Sequence, residues 1–202
     1  MLHETSRQPG QWVREQARAQ ERRIWMLLGL VLALAFLVVA VSLDKRSGVL
    51  ALVGVAFLLF LRRLAHGQIH LATGWMRGAA SEEAVGGVLD ELASDGYVVR
   101  HDLEQRSEGN VDHLVSGPTG VFMIETKHRG FQPSDLPKAR RQARKLNGEL
   151  GVWVTPVICL DKRRAREPYC NRGVWIVSRE RLVEWVRAQS NAPADPKLLS
   201  TL

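Results

Sequence analysis

Three residues around one predicted hairpin have the types and spacing for metal-dependent chemistry. The run VFMIETKHRG holds Glu125 and Lys127 two positions apart, so alternation along a strand sends both side chains to one face. A strand that is apolar up to its exit and then presents an acid beside an amine is not behaving as a core strand. A solvated edge strand ending in an ion pair would read the same way, and Glu-x-Lys alone is a common accident. Asp112 adds weight. In a tight turn centred on Pro118 and Thr119, position 112 falls opposite position 125, and two carboxylates share a face. If Gly120 instead forms a bulge, the pairing slips by one and Asp112 needs a strand bend to converge. Like charges brought together cost energy unless a divalent cation or an ammonium group compensates, so Asp, Glu and Lys converging suggests a Mg²⁺ or Mn²⁺ site.

The elements that must position these groups read as a small α/β domain. Ser81 caps a predicted helix running to about Asp95, with Val85, Val88, Leu89 and Leu92 on its buried face and Gly96 stopping it. Three extended runs follow, Tyr97–Leu103, Val111–Ser116 and Val121–Lys127, the last two joined by the hairpin signal Gly117-Pro118-Thr119-Gly120. A basic helix is predicted over Asp135–Leu150, with Leu136, Ala139, Ala143, Leu146 and Leu150 buried. The β-branched run Val152–Leu160 predicts a buried strand, Gly173–Val177 a last strand, and Ser178 the cap of a final amphipathic helix. The tail from Ser190 is expected to fray. Trp153 and Trp175 are expected in the core.

The stretches GAASEEAV, GNVDHLVSGPTGVFMIETKHRG, Gln142 in the basic helix, VWVTPVICL and GVWIVS together resemble the nuclease-related domain, NERD, of the PD-(D/E)xK restriction-endonuclease-like superfamily. The resemblance covers roughly residues 75 to 187. It implies an α-β-β-β-α-β core with a further strand and helix. It also implies Asp112 and Glu125 as metal ligands, Lys127 as the catalytic lysine, Glu82 as the acid of the first helix and Gln142 as the polar residue of the downstream helix. The family pattern has Gly before that first acid, where this chain has Ser81, and the adjacent Glu83 leaves the register open. Positions 82, 85, 89 and 92 share a helical face, which favours Glu82, although an acid in the first turn also complements the helix dipole.

Under that resemblance the reaction is metal-assisted hydrolysis of a phosphodiester. A cation at Asp112 and Glu125 would activate water, while Lys127 would orient it or stabilise charge growing in the transition state. Gln142 would place the water or the phosphate, unless it is an ordinary helix surface residue. His101, His113 and His128 lie near enough in sequence to join the site, His113 with a structural role the simplest reading. Lys138, Arg141, Arg144 and Lys145, with Arg140 among them and the basic loop Lys162 to Arg166, suit sequence-independent contacts with a DNA backbone. A solvated helix face or attraction to anionic lipid would use the same residues.

The rest of the chain differs sharply. Ile24–Leu43 is twenty residues without a charge, about 30 Å as a helix, the thickness of a hydrocarbon core. A second apolar run, about 48–63, follows the polar turn Asp44–Ser47, so residues 24–65 are expected to form a transmembrane helical hairpin; one span plus an interfacial helix is the alternative. Arginines at 14, 18, 22, 23, 62 and 63 outnumber Lys45 and Arg46 in the turn, which places both termini on the cytoplasmic side of the cell (inner) membrane. The expected organisation is a basic arm over 1–23, the hairpin, a linker over 66–76, a nuclease-like domain over 77–189 and a tail over 190–202.

With 202 residues, 24% charged and 46% hydrophobic, the chain is neither two large domains, nor a disordered polyampholyte, nor a wholly embedded bundle. Residues 1–66 hold nine Lys or Arg and four acids, so most of the +7 net charge belongs to the apolar module, and global charge is no argument for nucleic acid. Two cysteines, Cys159 and Cys170, exclude a disulfide framework or a zinc finger.

Overall fold

The computed structural model describes residues 11–42, 48–103, 109–162, 167–195 and 198–199, with some side chains of the first two helices outside that description. The elements are α1 (Gln11–Ser42), α2 (Gly48–Asp90), a 3₁₀ turn (Glu91–Asp95), β1 (Val98–Leu103), β2 (Val111–Gly117), β3 (Gly120–Lys127), α3 (Asp135–Leu150), β4 (Val154–Leu160), β5 (Tyr169–Asn171), β6 (Val174–Ser178) and α4 (Arg179–Arg187). The chain divides into two compact units, one of residues 13–76 and one containing residues 77–202.

The second unit is built on one six-stranded sheet in the order β1-β2-β3-β4-β6-β5. β1, β2 and β3 are antiparallel, the β2–β3 pair as the hairpin signal predicts, whereas β3 to β4 and β4 to β6 are parallel. A parallel return needs a crossover, and α3 supplies the one between β3 and β4. The β2–β3 turn has two central residues, Pro118 and Thr119. Gly117 therefore pairs with Gly120, Ser116 with Val121 and His113 with Ile124. The paired register shows no slip at the turn and runs as far as His113 and Ile124, one residue short of Asp112 and Glu125.

The sheet separates two apolar layers, as alternation requires. Leu114, Val121 and Met123 pack with Leu136, Ala143 and Leu146 of α3. Val115, Phe122 and Ile124 pack on the other side with Val85, Leu89 and Leu92, and with Leu182, Trp185 and Val186 of α4. Gly117 admits no side chain, because a Cβ there would enter the ring of Tyr97. The Tyr97 hydroxyl lies 2.8 Å from Thr119 Oγ1, which donates to the carbonyl of Val186 at 2.8 Å, so the hairpin tip is tied to both β1 and α4.

Several expectations change. Residues 66–76 are helical rather than a linker, and Ser81 lies inside the continuous α2 instead of capping a new helix. Local signals favoured a start at Ser81, but nothing in 64–80 breaks a helix: there is no proline, and isolated glycines such as Gly74 and Gly78 only weaken one. α1 begins at Gln11, so the described part of the basic arm is helical too. Among the described residues no helix is long and apolar enough to cross a membrane. The turn expected at Asp44–Ser47 lies outside the described residues. β5 was not anticipated; its three residues carry no periodic signal, and it forms by pairing with β6. The described part of the tail does not fray: Leu199 is fully buried in the α3-side core, and the Ala194 amide donates to the Gly117 carbonyl at 3.1 Å. Trp153 is not a core residue but 69% exposed, whereas Trp175 is partly buried against Trp185 at 5.4 Å.

Candidate active site

Glu125 and Lys127 leave the α3-facing side of β3 at its exit, where the apolar layer ends. Glu125 is 5% exposed, and its Oε1 accepts from Lys127 Nζ at 3.0 Å and from Lys138 Nζ at 2.9 Å. Its Oε2 is buried with no hydrogen-bond partner. An orphaned carboxylate oxygen in that position costs stability unless something outside the chain satisfies it. Burial works against the charge on Lys127, but Glu125 and Asp135 outweigh it, the latter with Oδ1 at 3.5 Å. The ammonium is thereby held above the ordinary lysine value.

Asp112 stands across the hairpin. Its Oδ2 accepts from the Thr126 amide at 2.6 Å, in place of a ladder bond at the end of the paired register. The residue is partly exposed, yet its carboxyl group is enclosed by protein. Burial first, then the neighbouring charges of Glu125 and Glu82, push its pKa well above the usual carboxylate range, against opposing effects of the Thr126 amide and Lys127. Crowded acids of this kind are the electrostatic complement of a cation. Glu82 is half-buried on α2 and acts on Asp112 through space, while Glu83 is exposed, so it is Glu82 that addresses the site.

The donor set fits a hard divalent cation. Mg²⁺ is commonly held by one or two carboxylates and keeps several waters, and the unpartnered Glu125 oxygen beside the crowded Asp112 carboxyl supplies that minimum. Among the described residues there is no group of three or more His, Cys, Asp or Glu that could hold a metal, so a cation here would rest on the two carboxylates and water.

Gln142 is fully buried rather than a surface residue. Its Nε2 donates to the Asn110 carbonyl at 3.0 Å, and Asn110 Nδ2 donates to Asp102 Oδ1 at 2.7 Å. Gln142 therefore fixes the entry of β2, two residues before Asp112, and is a positioning residue for that carboxylate. Lys138, expected on a DNA-binding face, instead reaches Glu125. No sequence pattern announced this, because only the crossover brings the first turns of α3 back to the exit of β3. The remaining basic residues of α3 do not form one patch. At 100° per residue Arg141 and Lys145 follow Lys138 on one flank of the buried stripe, and Arg144 lies with Arg140 on the other. Lys145 also pairs with Glu149 at 3.8 Å. Residues 163–166 of the expected basic loop lie outside the described residues, and Lys162 sits 3.8 Å from Asp161.

The histidines are occupied elsewhere. Asp90 Oδ1, His101, His113 and Thr126 Oγ1 form a chain with steps of 3.1, 2.8 and 3.1 Å on the α2 side of the sheet. Burial and His101 lower the pKa of His113 well below its ordinary value, so His113 is a neutral structural link. His128 Nδ1 lies 2.8 Å from Ser81 Oγ, which donates to Asp161 Oδ2 at 2.9 Å. The residue types suggest a nucleophilic triad, but Ser81 is 1% exposed and its hydroxyl bonds the carboxylate directly. Arg179 holds Asp161 Oδ1 at 2.6 Å, and the cluster fastens α2 to the exits of β3 and β4.

Residues 77–161 match the family model of the nuclease-related domain, NERD. The match runs from the end of α2 through β4 and includes Glu82, Asp112, Glu125, Lys127 and Gln142. No curated protein and no solved structure matches the chain.

Proposed function

We propose, from the nuclease-related domain at residues 77–161 and the acidic pair within it, that the chain is a membrane-anchored, cytoplasm-facing nuclease that hydrolyses phosphodiester bonds of DNA with Mg²⁺ or Mn²⁺. The observation that carries this reading is the buried, unpartnered Oε2 of Glu125 beside the crowded carboxyl of Asp112. A divalent cation at these two residues would supply Lewis-acid activation of the phosphoryl group and of the attacking water. Lys127 holds an ammonium charge at the mouth of the site, where charge grows on a phosphoryl group in the transition state. Glu82 adds negative charge from α2, and Gln142 keeps β2, and so Asp112, in place. Arg141 and Lys145, on the Lys138 flank, suit phosphate contacts that position a duplex without reading its bases.

Anchoring is supported by the uncharged run Ile24–Leu43 and by the apolar side chains that α1 and α2 present outward. Trp25, Met26, Phe36, Leu52 and Phe60 are each more than half exposed. Apolar surface of that kind calls for lipid or a partner. The basic residues flanking both runs favour cytoplasmic termini.

A second reading, a tethered nucleic-acid- or partner-binding protein without turnover, is favoured by one feature. Lys127 and Lys138 both bond Glu125 Oε1, so the acid is neutralised without any ion. The full chain in detergent, incubated with plasmid and single-stranded DNA with and without Mg²⁺ or Mn²⁺, separates the two. Metal-dependent cleavage that disappears in Glu125→Ala and Lys127→Ala supports the nuclease; binding without cleavage supports the second reading. Flotation with liposomes after alkaline washing tests the anchor, and release into the wash refutes it.

A further inference from the structure

A cleft of about 270 Å³ opens on the flank of α3 away from Glu125, lined by Arg140, Arg144 and Asn147 of α3, by Trp153 and Pro156, and by Arg172 in the β5–β6 turn. Its chemistry is specific. No acidic side chain among the described residues pairs with Arg140, Arg144 or Arg172, so three arginines without an acidic partner line one small concavity. Trp153, 69% exposed, is the most exposed aromatic side chain of the described α/β domain. Its place is built rather than accidental. Gly151, in the left-handed conformation at φ +68°, ends α3, and Asn147 Oδ1 then accepts from the Val154 amide at 2.6 Å, clamping the peptide that follows the indole. Arg172 adopts φ +49°, a left-handed conformation unfavourable for a side-chain-bearing residue, and with Gly173 at +79° it forms the tight turn between Asn171 and Val174.

Positive charge alone would take any anion, and an exposed indole alone would suit a membrane interface. Together in a cleft they select a ligand that carries both a flat ring and a phosphate. We infer that this cleft binds one unpaired nucleotide of a nucleic-acid strand, its base stacked on Trp153 and its phosphates held by Arg140, Arg144 and Arg172. The volume, just under the roughly 300 Å³ at which pockets enclose drug-sized molecules, suits a single nucleotide unit. Base–aromatic stacking tolerates any base, so the contact adds preference for single-stranded or frayed DNA without sequence specificity. This rests on the nuclease-related reading for the kind of polymer, but the cleft uses none of the residues around Glu125.

The test is fluorescence anisotropy of a labelled oligo-dT on the order of fifteen nucleotides long, titrated with the full chain in detergent, beside a blunt duplex of the same length. Trp153→Ala is expected to weaken oligo-dT binding about tenfold and Trp153→Phe to restore most of it, with duplex binding and metal-dependent duplex cleavage unchanged. Arg172→Gly, which relieves the backbone, is expected to weaken oligo-dT binding as well. Equal oligo-dT affinity in the parent and Trp153→Ala overturns the inference, as does equal weakening for oligo-dT and duplex. Competition by free dTMP as strong as by the oligonucleotide, or Trp153-dependent binding to anionic vesicles in its place, overturns it too. Trp153-dependent strand binding in a protein that never cleaves would refute the hydrolase and keep the cleft, while cleavage with Trp153-independent binding would do the reverse.

Discussion

Asp112 and Glu125 lie just beyond the last paired residues of the β2–β3 hairpin, His113 and Ile124, the first with its carboxyl pushed toward the neutral form and the second with one buried oxygen unsatisfied. Both conditions are relieved by a cation. Adding Mg²⁺ or Mn²⁺ to the metal-free protein is therefore expected to raise its melting temperature by several degrees, since a ligand at a hundred times its Kd contributes about 2.7 kcal/mol. Asp112→Asn keeps an oxygen for the Thr126 amide and is expected to leave the metal-free melting temperature undiminished while losing the shift. Glu125→Gln is expected to lose it as well. An undiminished shift in both variants would place the cation elsewhere.

Lys127 and Lys138 share one oxygen of Glu125 but not one role. Lys127 follows on the same strand face and is also held by Asp135, whereas Lys138 arrives from α3. Lys127→Met is expected to reduce metal-dependent cleavage at least about a hundredfold, the scale of one lost transition-state donor. Lys138→Met removes a cation that competes for Glu125 and is expected to tighten Mg²⁺ binding several-fold. Isothermal titration with Mg²⁺ distinguishes them; weaker binding in Lys138→Met would contradict this assignment.

Ser81, His128 and Asp161 supply a useful contrast. If the cluster is a fastening, Ser81→Ala costs about 1–3 kcal/mol, because it strips a donor from the buried Asp161. Cleavage per folded molecule should then stay at the parent level. A serine-directed fluorophosphonate should not label the native protein. Stoichiometric labelling of Ser81 would reverse this conclusion.

Gly117 lies under the ring of Tyr97, so Gly117→Ala is expected to destabilise the domain by about 2–3 kcal/mol through overpacking. Urea unfolding followed by tryptophan fluorescence measures it. Gly117→Ala combined with Tyr97→Ala should recover part of the loss, and a neutral single variant would mean that the hairpin tip is looser than described.

The thiols give a simple check on burial. Burial raises the pKa of Cys159, whereas Cys170 is exposed. Iodoacetamide at mildly alkaline pH is expected to modify Cys170 alone in the native protein and both thiols in denaturant. Rapid modification of Cys159 in the native state would show that β4 opens readily.

Local pattern carried much of this protein. The order of β1 to β3, the bounds of α3 and the stop at Gly96 follow from periodicity and turn chemistry, which act over a few residues. The β2–β3 register up to His113 and Ile124 also follows, because a two-residue turn fixes it by counting. What pattern could not carry was anything set by packing between distant segments. Lys138 reaches Glu125 only because a parallel crossover folds α3 back over β3. Leu199 is buried only because the chain end returns to the α3-side layer, and Trp153 sits in an apolar run yet faces outward because Gly151 and Asn147 turn the chain just before β4. α2 runs through the segment expected to be a linker because neighbouring helical turns support one another once a helix is nucleated, so a weak internal cap does not stop it. Sequence thus determined the residue types and their strand faces. Tertiary structure decided which charges meet, because that depends on where the crossovers and the chain end return.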